Sequence, residues 1–238
     1  MRTAIVTILA GILAAAAGVR AATPEESCQT GRAKVAANYA KCVQNEVAKY
    51  YSGVGKAENL GKCSTKYGAT WGKLRAKALA SPASETCDAA RFVDNGNGTV
   101  TDNLSTLLWE QKTDAATVHD KDNFYTWSAS GTAADGTAFT SLLATINGAG
   151  FAGQYDWRLP TLAELLSIAQ PAYPNCLTAP CIDPIFGPTV SSLYWSASTY
   201  QPSPYDAWLV DFGSGYPYST FTDKTFDGHY VRAVRGGF

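Results

Sequence analysis

The chain has 238 residues, of which 46% are hydrophobic and 16% charged, and its formal net charge is −1. This composition excludes an intrinsically disordered protein, and the length is sufficient for one substantial core with a smaller appended unit. The charge is unevenly distributed: residues 22–90 carry ten basic and six acidic side chains, whereas residues 91–238 carry seven and fourteen. The sequence therefore predicts two parts of opposite net charge.

The first 21 residues have the composition of an export signal. A basic N-terminus precedes an apolar run from Ile5 to Val19, and a small-x-small cleavage site ends at Ala21. Residues 1–21 are predicted to be a signal peptide cleaved near Ala21, so the mature protein is expected to be secreted, periplasmic or at the cell surface. The alternative is a retained anchor, but a bilayer span needs ~20 apolar residues, more than this run supplies. No membrane span is predicted.

Residues 22–90 are predicted to form a helical hairpin. Apolar side chains recur at helical spacing in its first half, Gly53 and Gly55 interrupt the pattern, and a second helix is predicted from about Glu58 to Leu79. The apolar positions of the first helix are Val35, Tyr39, Cys42, Val43, Val47 and Tyr50.

The hairpin contains Cys28, Cys42, Cys63 and Cys87, which allow three disulfide pairings. Cys28 and Cys42 belong to one predicted helix and lie ~21 Å apart along it, so a disulfide cannot join them. The nested pairing of Cys42 with Cys63 and Cys28 with Cys87 centres both loops on the predicted turn and is the one expected. The alternative is a zinc site, but such sites usually use closely spaced cysteine pairs, which the hairpin lacks.

The basic side chains of the hairpin have two interpretations. They either contact an anionic cell-surface polymer or nucleic acid, or they are the ordinary charged surface of exposed helices. The second interpretation is preferred, and it makes the hairpin a spacer or an oligomerisation element. No nucleic-acid partner is predicted.

Residues 91–238 are predicted to form an α+β domain with a long loop at 112–136. One short helix is predicted at 139–146, and a second follows the N-cap Thr161, where Glu164 completes a capping box. Cys176 and Cys181, in a proline-rich loop, are predicted to form a small disulfide ring. Strands are predicted at residues 91–93, 99–101, 107–110, 156–159, 193–196, 207–210 and 230–234.

Oxygen-bearing side chains crowd the turn between the first two strands of this domain: Asp94, Asn95, Asn97 and Asp102. Calcium binds such ligands, although their spacing does not match an EF-hand loop. The alternative is a tight turn, which also favours Asn and Gly. Calcium is the single candidate cofactor.

Two later loops are rich in tyrosine and also contain proline or glycine. Such loops present flat, amphipathic rings at a low entropic cost, and sugar rings pack well on them. The alternative is that the rings only close over the core. The candidate ligand-binding residues are Tyr200, Tyr205, Tyr216 and Tyr218.

Four segments together resemble one known family. They are DWRLPT at residues 156–161, YWSAST, AWLVDF and a terminal VRAVRGG, and they follow an opening FVDNGNGTVTDNLSTLLWE. In this order they resemble the Lcl C-terminal domain family, also called DUF1566, over residues 91–238. The resemblance implies a C-type-lectin-like fold with short antiparallel strands and two short helices, in a bacterial secreted or surface protein. The founding member resembles an adhesin that binds sulfated glycans.

Several aromatic and charged side chains in these segments are predicted to be structural rather than to contact a ligand. Trp157 and Trp195 are expected in the core, and Arg158 is expected to act as a clamp beside Asp156. The structural set is Asp156, Trp157, Arg158, Trp195, Arg232 and Arg235.

The sequence favours a non-enzymatic binding or adhesion protein whose partner is a glycan or a cell-surface protein. His119 and His229 are isolated in the sequence, so a Ser-His-Asp arrangement is not expected. The rival interpretations are an envelope-assembly component and a glycan hydrolase that uses two carboxylates. Because residues 91–238 carry a net charge of −7, a neutral sugar or a protein is expected at the tyrosines rather than a sulfated chain.

Overall fold

The structure is a computed structural model, and it describes residues 24–54, 58–80, 90–169, 180–213, 219–226 and 228–237. Two long helices, α1 (Pro24–Tyr51) and α2 (Glu58–Leu79), form an N-terminal hairpin. The predicted glycine break falls between them in the sequence, and α2 has its predicted bounds. No helix of the described residues combines the length and the apolar content that crossing a bilayer requires.

A disulfide and a small apolar cluster hold the two helices together. The predicted bond between Cys42 and Cys63 is present, with Cα atoms 5.8 Å apart. Val35, Tyr39 and Trp71 are buried beside it, together with Leu104 from the following domain. The hairpin core is therefore completed by a residue from outside the hairpin.

The other predicted disulfides involve Cys87 and Cys176, which lie outside the described residues. Their predicted partners, Cys28 and Cys181, are both disulfide-bonded. The nested pairing is thus confirmed for its inner bond, and the two remaining pairings stay predictions.

The remainder of the chain is α+β, with short helices and two sheets. A π-helical segment (Ala138–Leu143) continues as α3 (Ala144–Gly148), and α4 (Leu162–Ile168) begins at the predicted capping box of Thr161 and Glu164. The strands are β1 (Phe92–Asp94), β2 (Thr99–Asp102), β3 (Leu107–Glu110), β4 (Phe124–Tyr125), β5 (Leu193–Thr199), β6 (Asp206–Asp211), β7 (Ser219–Asp223), β8 (His229–Tyr230) and β9 (Val234–Gly236).

The strands form two sheets, one in the order β1-β2-β3-β9 and the other in the order β4-β8-β5-β6-β7. All neighbours are antiparallel except β5 and β8. The predicted strand at 230–234 is wrong in one respect, because it is divided between β8 in one sheet and β9 in the other. The side chain of Arg232 lies between them, fully buried, and donates to the carbonyl oxygens of Glu110 (2.8 Å) and Phe186 (2.6 Å).

Three further differences from the predicted elements concern short or edge strands. The predicted strand 156–159 is reduced to a single bridge between Arg158 and Val234. The predicted loop 112–136 contains β4, and β7 was not predicted at all. The bridge at Arg158 and strand β4 are ordered by pairing with residues distant in the sequence, whereas β7 pairs with the preceding strand β6 across a turn.

Strand β6, in the five-stranded sheet, is buried on both faces. Along β6 the side chains alternate: Trp208 and Val210 join one core with α4, whereas Ala207 and Leu209 join a second core. The α1 residues Val43, Val47 and Tyr50 pack against the first core. The hairpin is thereby placed on one face of this sheet. The second core includes Trp127, Trp157, Trp195 and Ile146.

Candidate functional site

Three aromatic rings lie together where β5, β6 and β7 run side by side, and we call Tyr200, Trp208 and Phe221 the aromatic ledge. The rings of Tyr200 and Phe221 are stacked, with centroids 3.7 Å apart and an interplanar angle of 7°. Trp208 meets both edge-on, at 5.2 Å and 5.7 Å. Trp208 is buried, but Phe221 remains 43% exposed and Tyr200 is half-buried.

The strand register places these rings together. Trp208 and Phe221 are directly opposite each other in the β6–β7 pair, and Tyr200 follows the last residue of β5. Tyr50 of α1 also meets the ring of Trp208 edge-on, at 5.8 Å. Cross-strand aromatic pairs of this kind stabilise sheets and fix the orientation of each ring. The ledge is therefore a rigid surface rather than a set of loose loop residues.

The structure describes two of the four predicted ligand-binding tyrosines and places them in different surroundings. Tyr200 belongs to the ledge, whereas Tyr205 is exposed and lies beside Gly131 in another loop. Tyr216 and Tyr218 lie outside the described residues. Phe221 was missed because its strand was not predicted, and the alternation Thr-Phe-Thr at residues 220–222 was the available signal.

A buried lysine holds the loop between Tyr200 and Tyr205. The Nζ atom of Lys224 donates to the carbonyl oxygen of Pro204 (2.8 Å) and to the hydroxyl of Thr199 (2.9 Å). Burial lowers the pKa of Lys224. Because both ends of the loop bind one ammonium group, the ledge is fixed from the loop side as well as from the strands.

The DWRLPT segment connects the second core to α4. Trp157 is buried, and its backbone N–H and C=O both bond the side chain of Asn147, at 2.8 Å and 2.9 Å. Arg158 donates two hydrogen bonds to the carboxylate of Glu164, which also accepts from the backbone N–H of Thr161 at 2.7 Å. One carboxylate therefore serves both the arginine clamp and the helix cap.

Arg235 and the backbone of Gly236, near the C-terminal end of the chain, complete this arrangement. Arg235 donates to the carboxylate of Asp156 at 2.6 Å, and Arg158 donates to the carbonyl oxygen of Gly236 at 3.0 Å. The residues of the DWRLPT and VRAVRGG segments thus hold each other in place. Trp195, the other tryptophan predicted to be in the core, is buried, and its ring N–H donates to the carbonyl oxygen of Tyr125.

Comparison with protein-family models matches residues 98–235, more than half of the chain, to the Lcl C-terminal domain. The chain belongs to this family. Comparison with curated proteins finds no match, and neither does comparison with solved structures. The predicted family and the α+β class of the Lcl C-terminal domain are confirmed, whereas the C-type-lectin-like fold that the resemblance implies stays a prediction.

Every basic side chain in residues 91–238 lies in the described part of the chain, and each is either paired with a carboxylate or buried. The ion pairs are Arg91 with Asp102, Lys121 with Asp114 and Asp122, Arg158 with Glu164, and Arg235 with Asp156. The buried cations are Lys112, Lys224 and Arg232. The Lcl C-terminal domain therefore presents no cluster of free cations among these residues.

The carboxylate of Glu110 is fully buried in the domain. It accepts from Lys112 Nζ (2.9 Å), from His119 Nδ1 (2.8 Å) and from the backbone N–H of Ala233 (2.9 Å). Burial alone raises the pKa of Glu110, but the charge of Lys112 and these hydrogen bonds lower it to about 2. His119, which is isolated in the sequence, is thus paired in space, and its ring packs against Phe151.

The four predicted calcium ligands are divided between the two ends of β2. Asp94 accepts from the backbone N–H of Gly96 (2.8 Å), Asn95 donates to Thr99 (2.9 Å), and Asn97 accepts from the Thr99 hydroxyl (2.6 Å). Calcium at this turn stays a prediction. Asp102, the fourth predicted ligand, lies at the opposite end of the strand, where it is buried and paired with Arg91.

Another set of acidic side chains lies closer together, with oxygens of Asp114, Asp120 and Asp122 within 4.8 Å of one another. Lys121 Nζ lies 3.3 Å from Asp114 and 2.6 Å from Asp122, so a cation of the chain itself already compensates this cluster.

Proposed function

We propose that the protein is an exported, non-enzymatic binding protein that holds a neutral glycan on the aromatic ledge. The observation that most directly supports this is the stacked pair of Tyr200 and Phe221, which is partly exposed and supported from beneath by Trp208. The apolar faces of sugar rings pack on flat aromatic surfaces. Because these rings are already fixed by their neighbours, binding costs little further conformational entropy.

The charge of the surface favours a neutral glycan over a sulfated one. Residues 91–238 carry seven basic and fourteen acidic side chains, and all seven basic groups are paired or buried. A sulfated chain gains affinity mainly by releasing counterions when lysine or arginine neutralises it. With an acidic surface and no free cations, the domain repels such a chain instead.

Export is supported by the signal-like residues 1–21 and by the disulfide between Cys42 and Cys63, since disulfides persist mainly in oxidising compartments. The proposed location is the periplasm, the cell surface or the medium. Residues 1–21 lie outside the described residues, so N-terminal sequencing of the protein recovered from the producing cell tests cleavage near Ala21.

A glycan array probed with the mature chain, with and without calcium, tests the proposed ligand class. We expect neutral glycans to be retained and sulfated glycans to be bound more weakly. Phe221→Ala should weaken binding about tenfold or more, which corresponds to ~1.4 kcal/mol of lost stacking. The matched control is Phe124→Ala, because Phe124 is 63% exposed and lies outside the ledge. Equal losses in both variants, or a wild-type preference for sulfated glycans, would contradict the proposal.

A further inference from the structure

A cavity of about 320 Å³ lies between α1 and the Lcl C-terminal domain. One wall is the apolar stripe of α1, including Val43 and Val47, and the other includes Leu107, Leu162 and Ala163. The cavity opens to solvent on the side where the exposed Gln44 lies, and its lining is mostly apolar. A partly enclosed, mostly apolar cleft with a few polar groups is the character of small-molecule sites in proteins.

Small side chains at the contact produce the gap. Ala40 and Ala163 both line it, and neither reaches across to the facing wall. Val43 and Val47 consequently remain only half-buried although they pack against the first core. The hairpin is nevertheless anchored on both sides of the cavity, by Tyr39 at one end and by Tyr50 against Trp208 at the other.

The polar groups at the rim define the chemistry of the occupant. Among the described residues, no lysine or arginine lines the cavity, and its one carboxylate, Glu164, already binds Arg158 and the N–H of Thr161. An anionic ligand has no counter-charge there, and a cationic ligand has to compete with Arg158. Gln44 and Ser198 add an amide and a hydroxyl to the rim, and both groups bond neutral hydroxyl or amide groups well.

We propose that this cavity binds a small neutral amphipathic molecule, with its apolar part between α1 and Leu162 and its hydroxyl-bearing head at the rim near Gln44 and Ser198. Ligand pockets of proteins typically span ~300–1,000 Å³, so this volume suits a small molecule rather than a helix or a folded segment. The cavity is adjacent to the aromatic ledge, because Tyr50 lines the cavity and also meets the ring of Trp208. The proposed ligand contacts a different set of side chains, so this inference does not rest on the proposed glycan function. Because α1 supplies one wall, the site extends beyond the residues that define the family.

The test uses the full mature chain and the neutral probe N-phenyl-1-naphthylamine, which fluoresces in apolar surroundings. Wild-type protein should bind the probe saturably, and octyl glucoside below its micellar concentration should displace it. Ala40→Phe fills the cavity and should weaken probe binding about tenfold or more. The matched control is Ala37→Phe, which adds the same ring to the exposed side of the same helix and should leave binding unchanged.

Two further measurements keep the result decisive. If Ala40→Phe lowers the helical circular dichroism, the smaller Ala40→Leu replaces it, with Ala37→Leu as its control. The anionic probe anilinonaphthalene sulfonate should bind more weakly than the neutral one. Unchanged probe binding in the cavity-filling variant, equal loss in the control, or preference for the anionic probe would each overturn the proposal. If the wild-type protein binds the probe but binds no glycan, only the proposed glycan function is contradicted.

Discussion

The hairpin and the Lcl C-terminal domain obtain their stability in different ways. The hairpin has one small apolar cluster, completed by Leu104 of the domain, and the disulfide between Cys42 and Cys63. The domain has two cores on opposite faces of one sheet and a buried charge network centred on Glu110. A unit too small to bury a large core is held by a covalent bond and by its neighbour's surface, whereas the larger unit relies on packing.

This comparison predicts that the domain is most sensitive to loss of buried volume. Trp195 is fully buried and its ring N–H is bonded. Trp195→Ala should lower the free energy of unfolding by ~3–5 kcal/mol, measured by chemical denaturation. Tyr155→Ala is the control, because Tyr155 is largely exposed, and it should have almost no effect. A loss below ~1 kcal/mol for Trp195→Ala would show that the core relaxes around the cavity.

A second prediction concerns the buried charge of the domain and is of similar size. Glu110→Gln keeps the shape but leaves Lys112 without a carboxylate, which should cost ~3–5 kcal/mol. Because the folded-state pKa of Glu110 is about 2, below its ordinary value of 4.5, the carboxylate contributes its full stability above pH 4.5 and loses it as the pH falls toward 2.

Unfolding curves between pH 6 and pH 2 measure this effect. The variant should show a shallower loss of stability on acidification than the wild type. Asp122→Asn is the control, because that carboxylate is exposed in its pair with Lys121. Parallel pH profiles for the wild type and Glu110→Gln would mean that the buried carboxylate is not the group that titrates.

The hairpin, by contrast, should depend mainly on its disulfide. Replacing Cys42 and Cys63 together by serine opens a loop of 21 residues and should lower stability by ~3 kcal/mol. The loss should appear in the helical circular dichroism before it appears in the tryptophan fluorescence of the domain. Thr65→Ala, on the exposed surface of α2, is the comparison variant. Simultaneous loss of both signals would show that the two units unfold together.

The smallest predicted effect concerns the start of α4. Thr161→Ala removes the side-chain acceptor for the backbone N–H of Glu164 and should cost ~1 kcal/mol in thermal or chemical unfolding. Thr161→Ser retains the cap and should restore most of that stability. Equal destabilisation by both substitutions would point to packing of the threonine methyl group rather than to capping.

Local signals in the sequence predicted the elements that depend on local interactions. Helical spacing and the glycines predicted the break after α1 and the extent of α2, and the Thr161–Glu164 pattern predicted the start of α4. The inner disulfide followed from the geometry of a hairpin. These features depend on residues close together in the chain, or on the antiparallel pairing of two helices joined by a turn.

Features that depend on how the chain folds back on itself were not predicted. His119 reaches Glu110 only because the segment after β3 turns back, and β7 is a strand only because it pairs with β6 across a turn. The aromatic ledge was half predicted: Tyr200 was chosen for its loop, whereas Phe221 joins it through cross-strand pairing. The acidic balance of residues 91–238 is visible in the sequence, whereas the ion pairs that occupy Arg158 and Arg235 are visible only in the structure.

The division of residues 229–236 between the two sheets also bears on the order of folding. β8 pairs with β4, and β9 pairs with β3, more than a hundred residues earlier in the chain. Neither sheet reaches its final strand order until this last segment has been synthesised, so the domain folds late and through long-range contacts. The hairpin disulfide joins residues only 21 apart, so it closes a short loop that needs none of these pairings. In an oxidising compartment that bond can hold the two helices together before the domain supplies Leu104 to their core.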